Sequence, residues 1–139
     1  MKITSSYPVI MTDRVSEVAG FYQELFGFQP TFETDWYVSL RREEAGHAWE
    51  LAVLRYDHET IPDNFRKLSQ GMIINLEVED AAAAYKKLVL SERIEAVSAL
   101  KDETFGQRHF IVSDPAGNLV DVIENISPSE DAAKHYVHG

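Results

Sequence analysis

FIVSDPAGNLVDVIE, residues 110–124, reads as two strands joined by a tight turn. Asp114 and Pro115 set up a type I turn, with proline fixing φ at its second position, and Gly117 supplies a residue free to take positive φ. Beyond the turn, Leu119, Asp121 and Ile123 share one face of a strand, while Val120, Val122 and Glu124 share the other. A carboxylate in mid-strand between two aliphatic neighbours points into something other than bulk water. Residues 49–54 place Glu50 in the same way, so two strands each carry an inward acid.

Working outward, the same grammar appears twice. Residues 3–12 read as a first strand, made irregular or edge-like by Pro8. Asp13 stands where a helix N-cap would, and Val15, Val18, Phe21, Tyr22 and Leu25 follow at helical spacing until Gly27 stops them. Strands are expected over 28–32, 35–41 and 47–54. Pro62, Asp63 and Asn64 then break any period, and 56–71 reads as a linker. The pattern restarts with a strand over 72–78. Asp80 caps a helix that turns Ala84, Tyr85 and Leu88 toward a core, and strands follow over 94–100, 107–113 and 118–124. The expectation is an α+β chain forming a single domain over 1–139. Its first βαβββ unit covers about 3–55, its second about 72–125, and a polar tail occupies 126–139.

Composition narrows the function classes. The chain has 139 residues, 45% hydrophobic and 26% charged, in the range of an ordinary soluble globular protein. With no cysteine, it can form neither disulfides nor thiolate metal sites. No apolar run is long enough to span a bilayer, and the N-terminus lacks a signal-peptide core, so a cytoplasmic protein without membrane attachment is expected. A net charge of −10 argues against nucleic acid and favours a cationic ligand by long-range attraction. The same charge also serves plain solubility.

Two βαβββ units ending in a DPxGN hairpin resemble the vicinal oxygen chelate superfamily, which includes glyoxalase I, extradiol dioxygenases, fosfomycin-resistance enzymes and bleomycin-resistance proteins. The resemblance spans about residues 3–125. It is most specific in FYQELFGF, 21–28, and FGQRHFIVSDPAGNLVDVIE, 105–124. It implies that the two units form one incurved cup that holds a small molecule. It also implies four metal-ligand positions in the metal-dependent members, falling here at Glu50, Asp121, Tyr7, and Ile73 or Met72. An aliphatic or thioether group is a poor ligand for a hard divalent ion. No cofactor is therefore expected, with a divalent metal held by Glu50 and Asp121 as the alternative.

The acids have three readings: residual metal ligands, a seat for a cationic or hydrogen-bonding ligand, or groups satisfied internally by Tyr, Arg or backbone. Trp36, Tyr37, Trp49, Phe105 and Phe110 are candidates to line the cup or to fill the core. Phe105 resembles the aromatic that stacks on planar antibiotics in the resistance proteins. Arg108 and His109 alternate on one strand, so only one of them can face the ligand. His109 could serve as a general acid or base, but no nucleophile motif surrounds it. The ligand-binding set is thus Glu50, Asp121, Phe105, Trp36, Tyr7, Arg108 and His109. The expected function is metal-independent sequestration of a planar or cationic compound. Its alternatives are a metal-dependent lyase, isomerase or dioxygenase, or a protein whose cup is filled by its own side chains. A homodimer is expected, because the resemblance implies a family whose members of one double unit commonly build the cup at a subunit interface or exchange arms, and two-fold contacts are the commonest. The tail from Ser127 is the candidate arm.

Overall fold

The computed structural model describes residues 1–137 and divides into two compact units, Met1–Gln70 and the segment from Gly71 onward. The first unit runs β1 (Val9–Thr12), α1 (Val15–Phe26), β2 (Gln29–Glu33), β3 (Tyr37–Glu44) and β4 (His47–Arg55). Its sheet has the order β1-β4-β3-β2, with β1 parallel to β4 and the other neighbours antiparallel. The second unit runs β5 (Ile73–Glu77), α2 (Ala81–Tyr85), β6 (Ala96–Glu103), β7 (Gln107–Ser113) and β8 (Leu119–Asn125), followed by a short α3 (Glu130–Ala133). Its sheet order, β5-β8-β7-β6, repeats that of the first, again with one parallel pair.

Helix α1 forms because Val15, Val18, Ala19, Tyr22 and Phe26 make one buried stripe. It ends at Gly27, φ 71°, where the Gly27 amide donates to the Gln23 carbonyl and the Phe28 amide to that of Tyr22. The Gly27-to-Gln23 bond is that of an αL stop, and the buried Phe28 ring meets the edge of Tyr22 at 6.3 Å between centroids. Asp13 does not cap the helix. Arg14 occupies that position with no side-chain cap bond, and its amide is taken by Thr12 Oγ1. Asp80 does cap α2, accepting from the Ala83 amide. The chain then widens into a π-helical turn, Lys86–Ser91.

Only four residues of the expected first strand pair, Val9–Thr12 with β4. Residues 3–8 are exposed and irregular, as proline at position 8 favours. The DPAG turn has the expected form. The Gly117 amide donates to the Asp114 carbonyl, Gly117 sits at φ 86°, and the Asp114 carboxylate accepts from the amides of Ala116 and Asn118. It delivers β8 in register beside β7, pairing Ile111 with Asp121 and Phe110 with Val122.

Each sheet has a helix side and a second face opposite it. In the second unit, Phe110 meets Tyr85 of α2 edge-on at 5.1 Å, and the Ala81 amide donates to Glu124. Alternation therefore puts Arg108, Phe110, Val112, Val120, Val122 and Glu124 toward the helix and His109, Ile111, Asp121 and Ile123 on the other face. In the first unit, Arg42 donates to the Phe26 carbonyl at the end of α1. Val38, Leu40, Leu51 and Val53 thus form the helix side, and Tyr37, Ser39, Arg41 and Glu50 lie opposite.

Candidate functional site

In the first unit, the face opposite α1 is built on the β3–β4 hairpin. Ala45 and Gly46 both take positive φ, 51° and 82°, as a two-residue hairpin turn of the primed kind requires. That turn sets the pairing of Glu44 with His47 and so, three steps on, of Arg41 with Glu50. The Arg41 guanidinium lies 3.3 Å from Glu50 and 2.8 Å from Glu43, and Ser5 donates to the second Glu50 oxygen at 2.6 Å. Glu50 thus already holds a cation and a hydroxyl. Tyr7 is exposed beside Tyr37, whose phenol is raised above its usual range by burial and then by the Tyr7 hydroxyl. Phe32, also exposed, meets the Tyr37 ring edge-on at 6.0 Å.

Trp36 precedes β3 and stacks flat on His58, with centroids 4.1 Å apart and planes at 11°. Its indole face is therefore occupied by a residue of the 56–71 segment. The Arg41–Glu50 pair is half-open to water, so its net contribution is small. Arg41→Ala is expected to cost under about 1 kcal/mol in urea unfolding. A cost several times larger would show that Glu50 depends on Arg41 for its place.

In the second unit, the face opposite α2 holds a denser and largely buried constellation. His109 is 7% exposed, with Nδ1 2.8 Å from Asp121 and Nε2 3.0 Å from Glu103. The register explains the meeting: Lys101 pairs with His109, so Glu103 is a diagonal neighbour on one side, as Asp121 is on the other. Burial by itself would pull the imidazole below its ordinary range. The hydrogen bonds to Glu103 and Asp121, and then their charges, outweigh this and hold it above. Both nitrogens face carboxylates, so the ring, when protonated, donates from each. Glu103 is held below the usual glutamate range by that hydrogen bond first and by Lys101 as well.

Arg108 faces the other way. It forks onto Asp102 at 2.7 and 3.0 Å and lies 3.7 Å from Glu124, on the helix side of the sheet. Of the alternating pair, His109 is the one that shares a face with Asp121, and Arg108 leaves the candidate set. Phe105, 46% exposed, stands in the turn between β6 and β7.

Sequence reading missed the partners Arg41, Ser5 and Glu103. The first and last follow from hairpin arithmetic once turn lengths are known, whereas Ser5 comes from a segment without periodicity. At the positions the resemblance marks for metal, Glu50 is paired with Arg41, Asp121 is hydrogen-bonded to the His109 ring, and Ile73 is an exposed aliphatic. Among the described residues, no three His, Asp or Glu side chains converge on a point that could hold a metal ion. The donor set does not fit a divalent-metal centre.

Two βαβββ units, each with an acid on its fourth strand opposite the helix side, define a class of small mixed-sheet proteins. The chain belongs to the Glyoxalase/Bleomycin resistance protein/Dioxygenase superfamily, whose pattern it matches over residues 5–122. No curated protein matches the sequence closely enough to count as a relative. Among solved structures, a glyoxalase/bleomycin resistance protein/dioxygenase from Nocardioides superposes with a TM-score of 0.74 at 14% identity, covering 100% of this chain and 91% of that one. A lactoylglutathione lyase from Agrobacterium tumefaciens gives 0.67 at 16% identity, covering 89% and 96%. A bleomycin-binding protein in complex with bleomycin gives 0.62 at 21% identity, covering 88% and 99%. At these identities the likeness is one of fold. No helix among the described residues is long and apolar enough to cross a membrane.

Proposed function

We propose that this protein binds a planar or cationic small molecule and sequesters it without a metal. One observation carries the reading: each acid at a metal-ligand position already has a side-chain partner from its own unit, Arg41 on Glu50 and His109 on Asp121. Such paired groups offer hydrogen-bond acceptors and donors to an organic ligand and little to a divalent ion. Within the second unit the exposed Phe105 ring supplies stacking area, and within the first Tyr7 and Phe32 do. The overall charge of −10 draws cations from a distance. The likeness to a bleomycin-binding protein supports a sequestering role. A cytosolic homodimer belongs to the same proposal, and light scattering that returned a mass near 15.8 kDa at all concentrations would reject the dimer.

Calorimetric titration with bleomycin and with a planar acridine cation, each with and without EDTA, tests the function. Saturable binding indifferent to EDTA is expected, together with negligible metal by elemental analysis. Near one equivalent of Zn, Ni, Fe or Mn per chain, lost in Glu50→Ala, would overturn it in favour of a metal-dependent lyase, isomerase or dioxygenase.

A further inference from the structure

The turn that carries Phe105 is held by the tail, carbonyl by carbonyl. The Ser129 amide donates to Thr104 O at 2.8 Å, the Tyr136 hydroxyl to Phe105 O, and the Ile126 amide to Gly106 O at 2.9 Å. Three successive acceptors of a three-residue connection are thus all taken by one downstream segment. The packing is as close as the bonding. A Cβ on Gly106, φ 107°, would lie 2.9 Å from the Ile126 carbonyl oxygen, 3.2 Å from the Tyr136 hydroxyl and 3.3 Å from Pro128 Cβ. Helix α3 between these contacts is capped by Ser129, whose side chain accepts from the Ala132 amide, so the segment returns to the turn with its own short scaffold. The tail is therefore an arm folded onto its own chain.

Turns of this kind normally leave their carbonyls to water and move freely. Here three successive carbonyls are hydrogen-bonded to the tail while Phe105 remains 46% exposed. An aromatic side chain with two rotatable bonds, on a backbone already fixed, loses little further freedom when a ligand stacks on it. We propose that the C-terminal tail is a clamp that presents Phe105 as a preformed stacking surface, with Tyr136 as its positioning residue. The clamp stands on the contacts above; its use in recognition rests on the binding reading given under Proposed function.

The test uses the full chain and three variants: Tyr136→Phe, which removes only the hydroxyl, Phe105→Ala, and the two combined. In the free protein, ¹⁵N relaxation should show Thr104, Phe105 and Gly106 as rigid as the strands, with order parameters near ~0.85. In Tyr136→Phe these three amides should fall toward ~0.6 while the strand amides stay unchanged. In bleomycin titrations, Tyr136→Phe should weaken binding about tenfold, or about 1.4 kcal/mol. Phe105→Ala should weaken it at least as much, and adding Tyr136→Phe to Phe105→Ala should do nothing more. Unchanged turn order parameters would overturn the clamp. Equal losses in both backgrounds would show that Tyr136 does not act through Phe105 and would overturn the positioning role. A parent chain that binds neither bleomycin nor acridine would overturn the binding reading and the positioning role with it, leaving the relaxation result to decide the clamp alone.

Discussion

His109→Leu is expected to destabilise the second unit by about 3 kcal/mol near pH 6, read from urea unfolding. The side chains of His109 and Asp121 are only 9% and 12% exposed, so removing the imidazole strands a carboxylate in a nearly dry site. Leucine fills the volume but offers no donor. Adding Asp121→Leu should recover much of the loss, because the damage is an uncompensated charge and not a missing attraction. The pH dependence follows from the raised imidazole. A histidine whose folded value exceeds its unfolded value of about 6.5 contributes stability that is whole below that value and is lost as pH rises through the folded one. The gap between parent and His109→Leu should therefore be widest near pH 6 and narrow toward alkaline pH. Glu103, shifted down, works in the opposite sense: its contribution is present above the ordinary glutamate range and disappears as pH falls through its folded value. A gap that widened from pH 6 to 9 would mean that the ring is neutral in the folded state.

Gly106→Ala is the second large effect, about 3 kcal/mol, from backbone strain at φ 107° added to a Cβ pressed on the Ile126 carbonyl. Gly117→Ala is its control. Gly117 also has positive φ, 86°, but nothing lies within 4 Å of its Cβ position, so only the strain remains and about 1 kcal/mol is expected. Thermal melts of the two variants should therefore separate clearly. Equal shifts would mean that the tail gives way at no cost, and the close packing at Gly106 would then hold nothing in place.

The element order and the DPAG turn were legible because they depend on local chemistry: period 2 or 3.6, glycine at a helix stop, proline and glycine at a turn. Parity alone told that Arg108 and His109 face opposite ways, though not which of them joins Asp121. That choice needed α2, through Phe110 and Tyr85, to mark the helix side. What the acids do required register. Glu50 meets Arg41 only because Ala45 and Gly46 form a two-residue loop, and His109 meets Glu103 only because three residues separate β6 from β7. A loop one residue longer would have turned both partnerships to other side chains. Asp13 reads as a cap by residue type, yet Thr12 takes the amide of Arg14 and the cap position falls one residue later. The tail was illegible as a clamp, since contacts to Thr104, Phe105 and Gly106 leave no periodic trace in residues 126–137. Trp36 was misleading for a similar reason: its partner His58 lies in the segment with no pattern at all.

The one parallel pair in each sheet bears on how the chain reaches this state. In the first unit β2, β3 and β4 are sequential neighbours, so their pairing needs only short closures. β1 must wait for β4 before Val9 can find Ala52, and it contributes just four residues to the ladder. The second unit repeats the arrangement, with β5 waiting for β8. The three-stranded meanders are therefore expected to form early, and the parallel edge strands to close last and open first. In native-state hydrogen exchange, the amides of Val9–Thr12 should open at a lower free energy than those of β3 and β4. The segment leading into β1 also carries Ser5 and Tyr7, so the most easily peeled part of the first unit is the part that reaches Glu50.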